Sequence, residues 1–157
     1  MKYLVTGGAG YLGKVLVKEL LNLGNEVIVF DNLLYGQEPP EDVEFYERSI
    51  EDLPSLIEKS KGCDAIIALA AIVGDGACNV NIDRTFNTNI IGSRNTLSAC
   101  EINGIPKMVF ISTCSVYGSG DSELTEDSPT NPLSVYARSR LDSEGILIGM
   151  NKNVKLT

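Results

Sequence analysis

The chain has 157 residues, a formal net charge of −8 and no histidine. Its length fits a single domain, residues 1–157, able to bury about 70% of the surface its unfolded form exposes. The acidic balance, with no basic patch, argues against a nucleic-acid partner. No apolar run approaches the ~20 residues a bilayer-crossing helix needs, and no signal peptide precedes the first strand, so a cytoplasmic protein away from the membrane is expected. Cys63, Cys78, Cys100 and Cys114 are scattered without a CxxC pair. They read as reduced packing residues, not as metal ligands or disulfide partners.

Lys2-Tyr3-Leu4-Val5 reads as a short buried strand running into Thr6-Gly7-Gly8-Ala9-Gly10-Tyr11-Leu12-Gly13. A helix follows with Leu12, Val15, Leu16, Leu20 and Leu23 on its apolar side, and Gly24 ends it. Glu26-Val27-Ile28-Val29-Phe30 is a second strand that closes on Asp31, 18 residues beyond Gly13. Strand, glycine turn, helix, strand and terminal acid make a βαβ unit with a dinucleotide fingerprint. Gly7 permits the tight turn, Gly10 lets the backbone approach a diphosphate, and Gly13 lets the helix pack closely. The helix N-terminus presents unpaired N–H groups to the phosphates. A carboxylate at Asp31 can hold a ribose 2′-OH and would repel a 2′-phosphate, so the expected cofactor is NAD and not NADP.

Gln37 to Asp42 is a polar surface loop, and Val43-Glu44-Phe45-Tyr46 a short third strand. A helix with Leu53, Leu56 and Ile57 inward comes next. Asp64 to Leu69 is a continuous apolar run, as a strand covered on both faces should be. It passes into small residues from Ala70 to Gly74, where a ligand can approach the backbone. From about 81 to 103 the spacing predicts one long helix, with Ile82, Phe86, Ile90, Leu97 and Cys100 near one stripe, stopped by Gly104 and Pro106. Lys107 to Ser112 is a fifth strand, and a polar excursion from Gly118 to Asn131 leads to a last helix from about 134 to 149. Asn153 to Thr157 reads as the start of a sixth strand. The alternation implies an α/β fold: a Rossmann-type, doubly wound parallel sheet in three αβα layers, its ligand lying where strand order reverses between the first and fourth strands.

A second constellation follows the fifth strand. Tyr136 lies 23 residues after Thr113, and Arg140 is one helical turn further on, so Tyr136 and Arg140 share a face. This suits hydride transfer at a carbinol. A phenolate accepts the proton, a neighbouring cation lowers the phenol pKa, and Thr113 holds the reacting oxygen.

Together these residues resemble the N-terminal part of an extended short-chain dehydrogenase/reductase of the NAD-dependent nucleotide-sugar epimerase/dehydratase group. The resemblance rests on Thr6 to Gly13, on Asp31-Asn32-Leu33 with Gly36, and on Leu69-Ala70-Ala71 at the end of the fourth strand. Asn89 with Gly92, Ser112 to Gly118, and Pro132 with Tyr136 complete it. It implies that Gly7, Gly10, Tyr11, Leu12, Gly13, Asp31, Asn32, Ser49, Ile50, Leu69, Ala70, Ala71, Asn89, Tyr136 and Arg140 hold NAD, with Thr113, Tyr136 and Arg140 catalytic. It also implies a nucleotide-sugar substrate and a homodimer packed through the stretches 81–103 and 134–149.

Three positions depart from the family pattern. Arg140 stands where the family has lysine, keeping the charge but not the compact contact to a ribose. Ser49 stands where the family usually has an aspartate near the adenine. Cys114-Ser115 replaces the Asp-Glu pair of 4,6-dehydratases, which favours an epimerase over a dehydratase. A sugar dehydrogenase or reductase, and a non-catalytic NAD-binding module, stay open as alternatives. Whole family members continue into a C-terminal lobe that holds the sugar nucleotide, and this sequence has no residues for one. The 157-residue chain alone is therefore expected to bind NAD and to turn over little sugar, and robust epimerase activity from the isolated chain would overturn this.

Overall fold

A computed structural model describes residues 1–119 and 123–157. Its strands are β1 (Lys2–Thr6), β2 (Glu26–Asp31), β3 (Glu44–Glu47), β4 (Ala65–Ala68), β5 (Lys107–Phe110) and β6 (Lys155–Leu156). They form one parallel sheet in the order β3-β2-β1-β4-β5-β6. The reversal between β1 and β4 falls where the sequence places it. Even the short last strand is in register, with Lys107 opposite Lys155 and Met108 opposite Leu156.

The two faces of the sheet hold separate cores, because alternate residues of a strand point to opposite sides. Leu4, Ile28, Phe30, Ile66 and Met108 pack on one face with Leu56, Leu97 and Leu147, from the helices α2 (Leu53–Lys59), α5 (Gly92–Asn103) and α6 (Val135–Met150). Val5, Val27, Val29 and Ile67 face the other way, against Val17, Leu16 and Leu20 of α1 (Tyr11–Asn22). Asp52 caps α2 by accepting from the Ser55 amide at 3.2 Å, and Ser134 caps α6 by accepting from the Ala137 amide at 3.2 Å.

Three expectations need correction. The buried face of α1 is Gly13 and Val17, flanked by Leu16 and Leu20; Leu12, Val15 and Leu23 are 61%, 62% and 76% exposed. The close approach at Gly13 rotates the helix so that this residue, not the leucine stripe, meets the turn beneath it. The long helix is in three parts: α4 (Ile82–Phe86), a π-turn (Asn87–Ile91) and α5. One extra residue per turn shifts everything after it by about 100° around the axis. The predicted stripe therefore splits, leaving Ile82 exposed and Phe86 and Ile90 half-buried, while Leu97 and Cys100 are buried. The inward face is instead polar, with Thr85, Thr88, Asn89, Ser93, Asn95 and Thr96 all buried. Several of these hydroxyls donate to backbone carbonyls: Thr85 to Cys78 at 2.9 Å, Ser93 to Asn89 at 2.6 Å and Thr96 to Gly92 at 2.9 Å. Burial without unpaired polar atoms is what makes such a face tolerable. Thirdly, Cys63, Cys78 and Cys100 are buried but Cys114 is exposed.

The sequence did not announce the short helix α3 (Asp75–Val80), which starts at Gly74 with φ +85°. In the excursion after β5, Gly118 sits at φ +74°, and a Cβ there would strike the Asn131 carbonyl. The Asn131 amide donates to the Val116 carbonyl at 2.9 Å. The excursion thus leaves and returns at one point; its residues 120–122 lie outside the described ones. Among the described residues no helix is long and apolar enough to cross a membrane.

Asn89 is the buried hub of the helical layer. It accepts from the Ile72 amide at 2.8 Å and donates to the Ile72 carbonyl at 3.0 Å and to Ser139 Oγ at 2.9 Å. Asn89→Ala should therefore destabilise the fold by about 2–3 kcal/mol in urea unfolding, because it strands buried backbone groups. A thiol-reactive dye should modify one cysteine, Cys114, in the native protein and all four after unfolding. Burial pushes the Cys63 thiol up to about 11 and the Cys100 thiol up to about 12. Both stay protonated in the folded state while unfolded thiols ionise near 9.0. Their contribution is thus complete below pH ~9 and is lost as pH rises toward 12. A Cys100→Ala variant should show a shallower decline in denaturation midpoint over that range.

Candidate functional site

A cavity of about 500 Å³ opens at the C-terminal ends of β1, β2 and β4, where ligands of open α/β sheets bind. Its floor is the glycine turn. Gly7 has φ +72°, and its amide donates to the Phe30 carbonyl at 2.9 Å. A Cβ at Gly7 would lie 2.6 Å from the Ala70 amide nitrogen, so only glycine lets β1 and β4 leave the sheet this close together. Gly13 is equally confined, since a Cβ there would run into the Gly7 carbonyl and Gly8. Gly10 occupies the N-cap of α1 without any side-chain cap, and no acid stands in the first turn. The first N–H groups of a twelve-residue helix are thus left for an anion from outside.

Asp31 stands at the end of β2 on the cavity wall. Its Oδ2 accepts from the Ala9 amide at 3.0 Å and its Oδ1 from the Leu33 amide at 2.9 Å. This carboxylate therefore ties the glycine turn to the end of β2, and holds Leu33 in a left-handed conformation at φ +49°. Each oxygen keeps a lone pair for a ligand hydroxyl. Asn32 lines the cavity beside it.

The wall formed by Leu69, Ala70 and Ala71 is set from both ends. Thr6 Oγ1 accepts from the Ala70 amide at 3.3 Å, and Asn89 grips Ile72. Asn89 itself is fully buried and does not line the cavity. Ile50 is buried on the opposite side, with its carbonyl held by Asn95 Nδ2 at 3.2 Å. A Cβ on Gly92 would collide with the Ile50 side chain. Ser49 does not line the cavity: its hydroxyl accepts from the Glu51 amide at 3.2 Å.

At the far end Tyr136 and Arg140 both face the cavity, as their four-residue spacing implies. Arg140 is only 2% exposed. Its guanidinium lies 4.2 Å over the Phe110 ring and donates one nitrogen, Nη2, to the Ile111 carbonyl. Nε and Nη1 are buried with no partner. Burial pushes this guanidinium below its ordinary value, opposed by Tyr136 and by Glu144. Thr113, extended at φ −151° and ψ 142°, caps the short turn Cys114–Tyr117. Its hydroxyl is engaged with Ser115, and the neighbouring Ile111 and Ser112 line the cavity in its place.

The structure thus gathers Gly7, Gly10, Tyr11, Leu12, Gly13, Asp31, Asn32, Ile50, Leu69, Ala70, Ala71, Tyr136 and Arg140 around one space, and leaves Ser49, Asn89 and Thr113 just outside it. Sequence reasoning missed Arg48, Thr88 and Ser112, which also line it. Strand register and the splitting of the long helix bring Arg48 and Thr88 to the cavity, so no local motif marks them. Ser112, by contrast, opens the Ser112 to Gly118 segment, where sequence reasoning passes over it for Thr113. Chemically, the cavity offers amides for a diphosphate in the middle, a carboxylate for a diol at one end, and unused guanidinium donors with a phenol at the other.

Residues 3–157 match the family described as the NAD dependent epimerase/dehydratase family. The UDP-glucose 4-epimerase of Streptomyces lividans is 33% identical over 154 residues, which cover 94% of this chain and 47% of the relative. The Bacillus subtilis (strain 168) UDP-glucose 4-epimerase is 32% identical over 159 residues, again 94% of this chain and 47% of the relative. Among solved structures, the Thermus thermophilus UDP-glucose 4-epimerase complex with NAD superposes with a TM-score of 0.90 at 31% identity, covering 99% of this chain and 53% of that one. An NAD-dependent NDP-hexosamine 5,6-dehydratase involved in tunicamycin biosynthesis gives a TM-score of 0.90 at 30% identity, over 99% of this chain and 52% of that one. The chain spans about half the length of the relatives it matches. With its fold, glycine turn and tyrosine helix all agreeing, the chain belongs to the NAD dependent epimerase/dehydratase family.

Proposed function

We propose that this chain is the NAD-binding half of a nucleotide-sugar epimerase of the 4-epimerase kind. The observation that carries the reading is a single cavity holding an uncapped helix N-terminus at Gly10, the Asp31 carboxylate, and Tyr136 beside a buried arginine with two unpartnered nitrogens. Those unpartnered nitrogens, with the glycine cradle that any Cβ would fill, fit NAD. The α1 amides would take the diphosphate, Asp31 the adenosine ribose, Ile50 the adenine, and Arg140 Nε and Nη1 the nicotinamide ribose. Bound NAD would supply a hydride acceptor that serves as donor on the return step, so the cycle consumes no net oxidant.

The chain's own groups carry the proton chemistry. Tyr136 takes the proton of the sugar hydroxyl and later returns it, with Arg140 one helical turn further along the same face of α6. Thr113 holds the reacting oxygen by exchanging its bond to Ser115. Cys114 and Ser115, in the turn after Thr113, offer no carboxylate for an elimination, which separates this reading from a 4,6-dehydratase. A net sugar dehydrogenase or reductase would use the same residues. One observation favours a non-catalytic NAD module instead: Arg140 is already committed to the Ile111 carbonyl and the Phe110 ring. A homodimer through the stretches 81–103 and 134–149 is part of the proposal, supported by the exposure of Ile82 and Ile148. So is a cytoplasmic location, supported by four free cysteines.

Calorimetry on the purified chain should detect NAD binding, and absence of uptake by folded protein would sink the reading. Asp31→Asn should weaken NAD binding about tenfold, the scale of one lost charge-assisted bond, and should narrow the preference over NADP by removing charge repulsion.

A further inference from the structure

Two cations line the cavity, Arg140 at one end and Arg48 at the other. Arg48 follows the last residue of β3, where Glu47 pairs with Asp31 of β2, and the Arg48 amide donates to the Asp31 carbonyl at 3.0 Å. Its backbone is thereby fixed beside the acid proposed to hold the adenosine ribose. Its side chain is exposed, with one nitrogen, Nη1, donating to the Glu47 carbonyl at 2.9 Å. Among the described residues no carboxylate forms an ion pair with its guanidinium. Asp31, the acid adjacent in register, directs both oxygens at the amides of Ala9 and Leu33.

Ser49, the residue the family pattern places near the base, is turned away onto the Glu51 amide and does not reach the cavity. Its neighbour Arg48 does line the cavity, as does Thr88, which donates to Glu51 at 2.8 Å. Two residues on from Arg48, Ile50 gives the lining a firmly held apolar surface, pinned through its carbonyl by Asn95 and backed by the helix at Gly92. A planar cation and an apolar residue in one lining suit the face of an aromatic base, because guanidinium is weakly hydrated and stacks on π-systems as ammonium does not.

We propose that Arg48 is a specificity-determining residue that recognises the adenine of the bound dinucleotide by packing its guanidinium on the base, in place of the contact Ser49 does not make. This rests on the NAD-binding reading above. Because the contact is to the adenosine half, it acts on any ligand carrying that half, whether or not a nicotinamide is attached.

Calorimetric titration of the intact 157-residue chain with NAD, ADP-ribose and NADP tests it. Arg48→Ala should weaken NAD and ADP-ribose by the same factor, about 2- to 5-fold, the scale of one cation–π contact. Arg48→Lys keeps the charge without the plane and should stay closer to the alanine variant than to wild type. Unchanged ADP-ribose affinity in Arg48→Ala, full recovery by lysine, or a loss confined to NADP would each overturn the proposal, the last two by assigning Arg48 to a phosphate. Wild-type protein that binds neither NAD nor ADP-ribose would instead defeat the NAD-binding reading. The two failures are therefore distinguishable.

Discussion

The fold and the site both hang on one close backbone approach, that of Gly7 at the end of β1 to Ala70 just beyond β4. A Cβ at Gly7 would sit 2.6 Å from the Ala70 nitrogen, well inside any tolerable contact, so the two central strands leave the sheet side by side only because residue 7 has no side chain. That proximity makes the crevice at the strand-order reversal narrow enough to be lined by backbone. It also points the N-terminus of α1 along the crevice. Asp31 then locks the arrangement from the third side, through the Ala9 amide. The same carboxylate is structural and available: it shapes the turn with one lone pair of each oxygen and leaves the others facing the cavity.

The helical layer solves a different problem. The wall opposite α1 must hold irregular backbone from Ala70 to Ile72 at the cavity edge, and irregular backbone leaves N–H and C=O groups without ladder partners. The π-turn answers this by rotating polar residues of the long helix inward. Asn89 there satisfies both backbone groups of Ile72, and Asn95, further along the same helix, satisfies the carbonyls of Ile50 and Glu51. An apolar inward face would have left those groups unpaired. The polar character of this helix is therefore a requirement of the loops it supports.

Arg140 brings a charge into that frame at a cost. A guanidinium 2% exposed is favoured only if its donors find acceptors and its charge finds compensation. The Ile111 carbonyl and the Phe110 ring supply part of this, and Glu144, one turn further along α6 and bonded by Ser112, stands as a more distant counter-charge. Two nitrogens stay unsatisfied. Among the described residues these are the only buried side-chain nitrogens or oxygens without a partner, and they lie at the edge of the cavity.

The sequence alone determined the strands, their parallel order, the crevice at the reversal, the glycine turn with Asp31, and the shared face of Tyr136 and Arg140. These follow from short-range rules: period-two and period-3.6 patterning, glycine where a positive φ is needed, and residues four apart on a helix. The tertiary structure decided which face of each helix is buried. Gly13 overrides the leucine stripe of α1, and one inserted residue in the π-turn separates Ile82 and Phe86 from Leu97. It likewise decided that Asn89 supports the wall from behind, that Ser49 turns away, and that Arg48 and Ser112 reach the cavity. Such outcomes depend on distances between segments far apart in the chain, and periodicity within one segment carries no information about them.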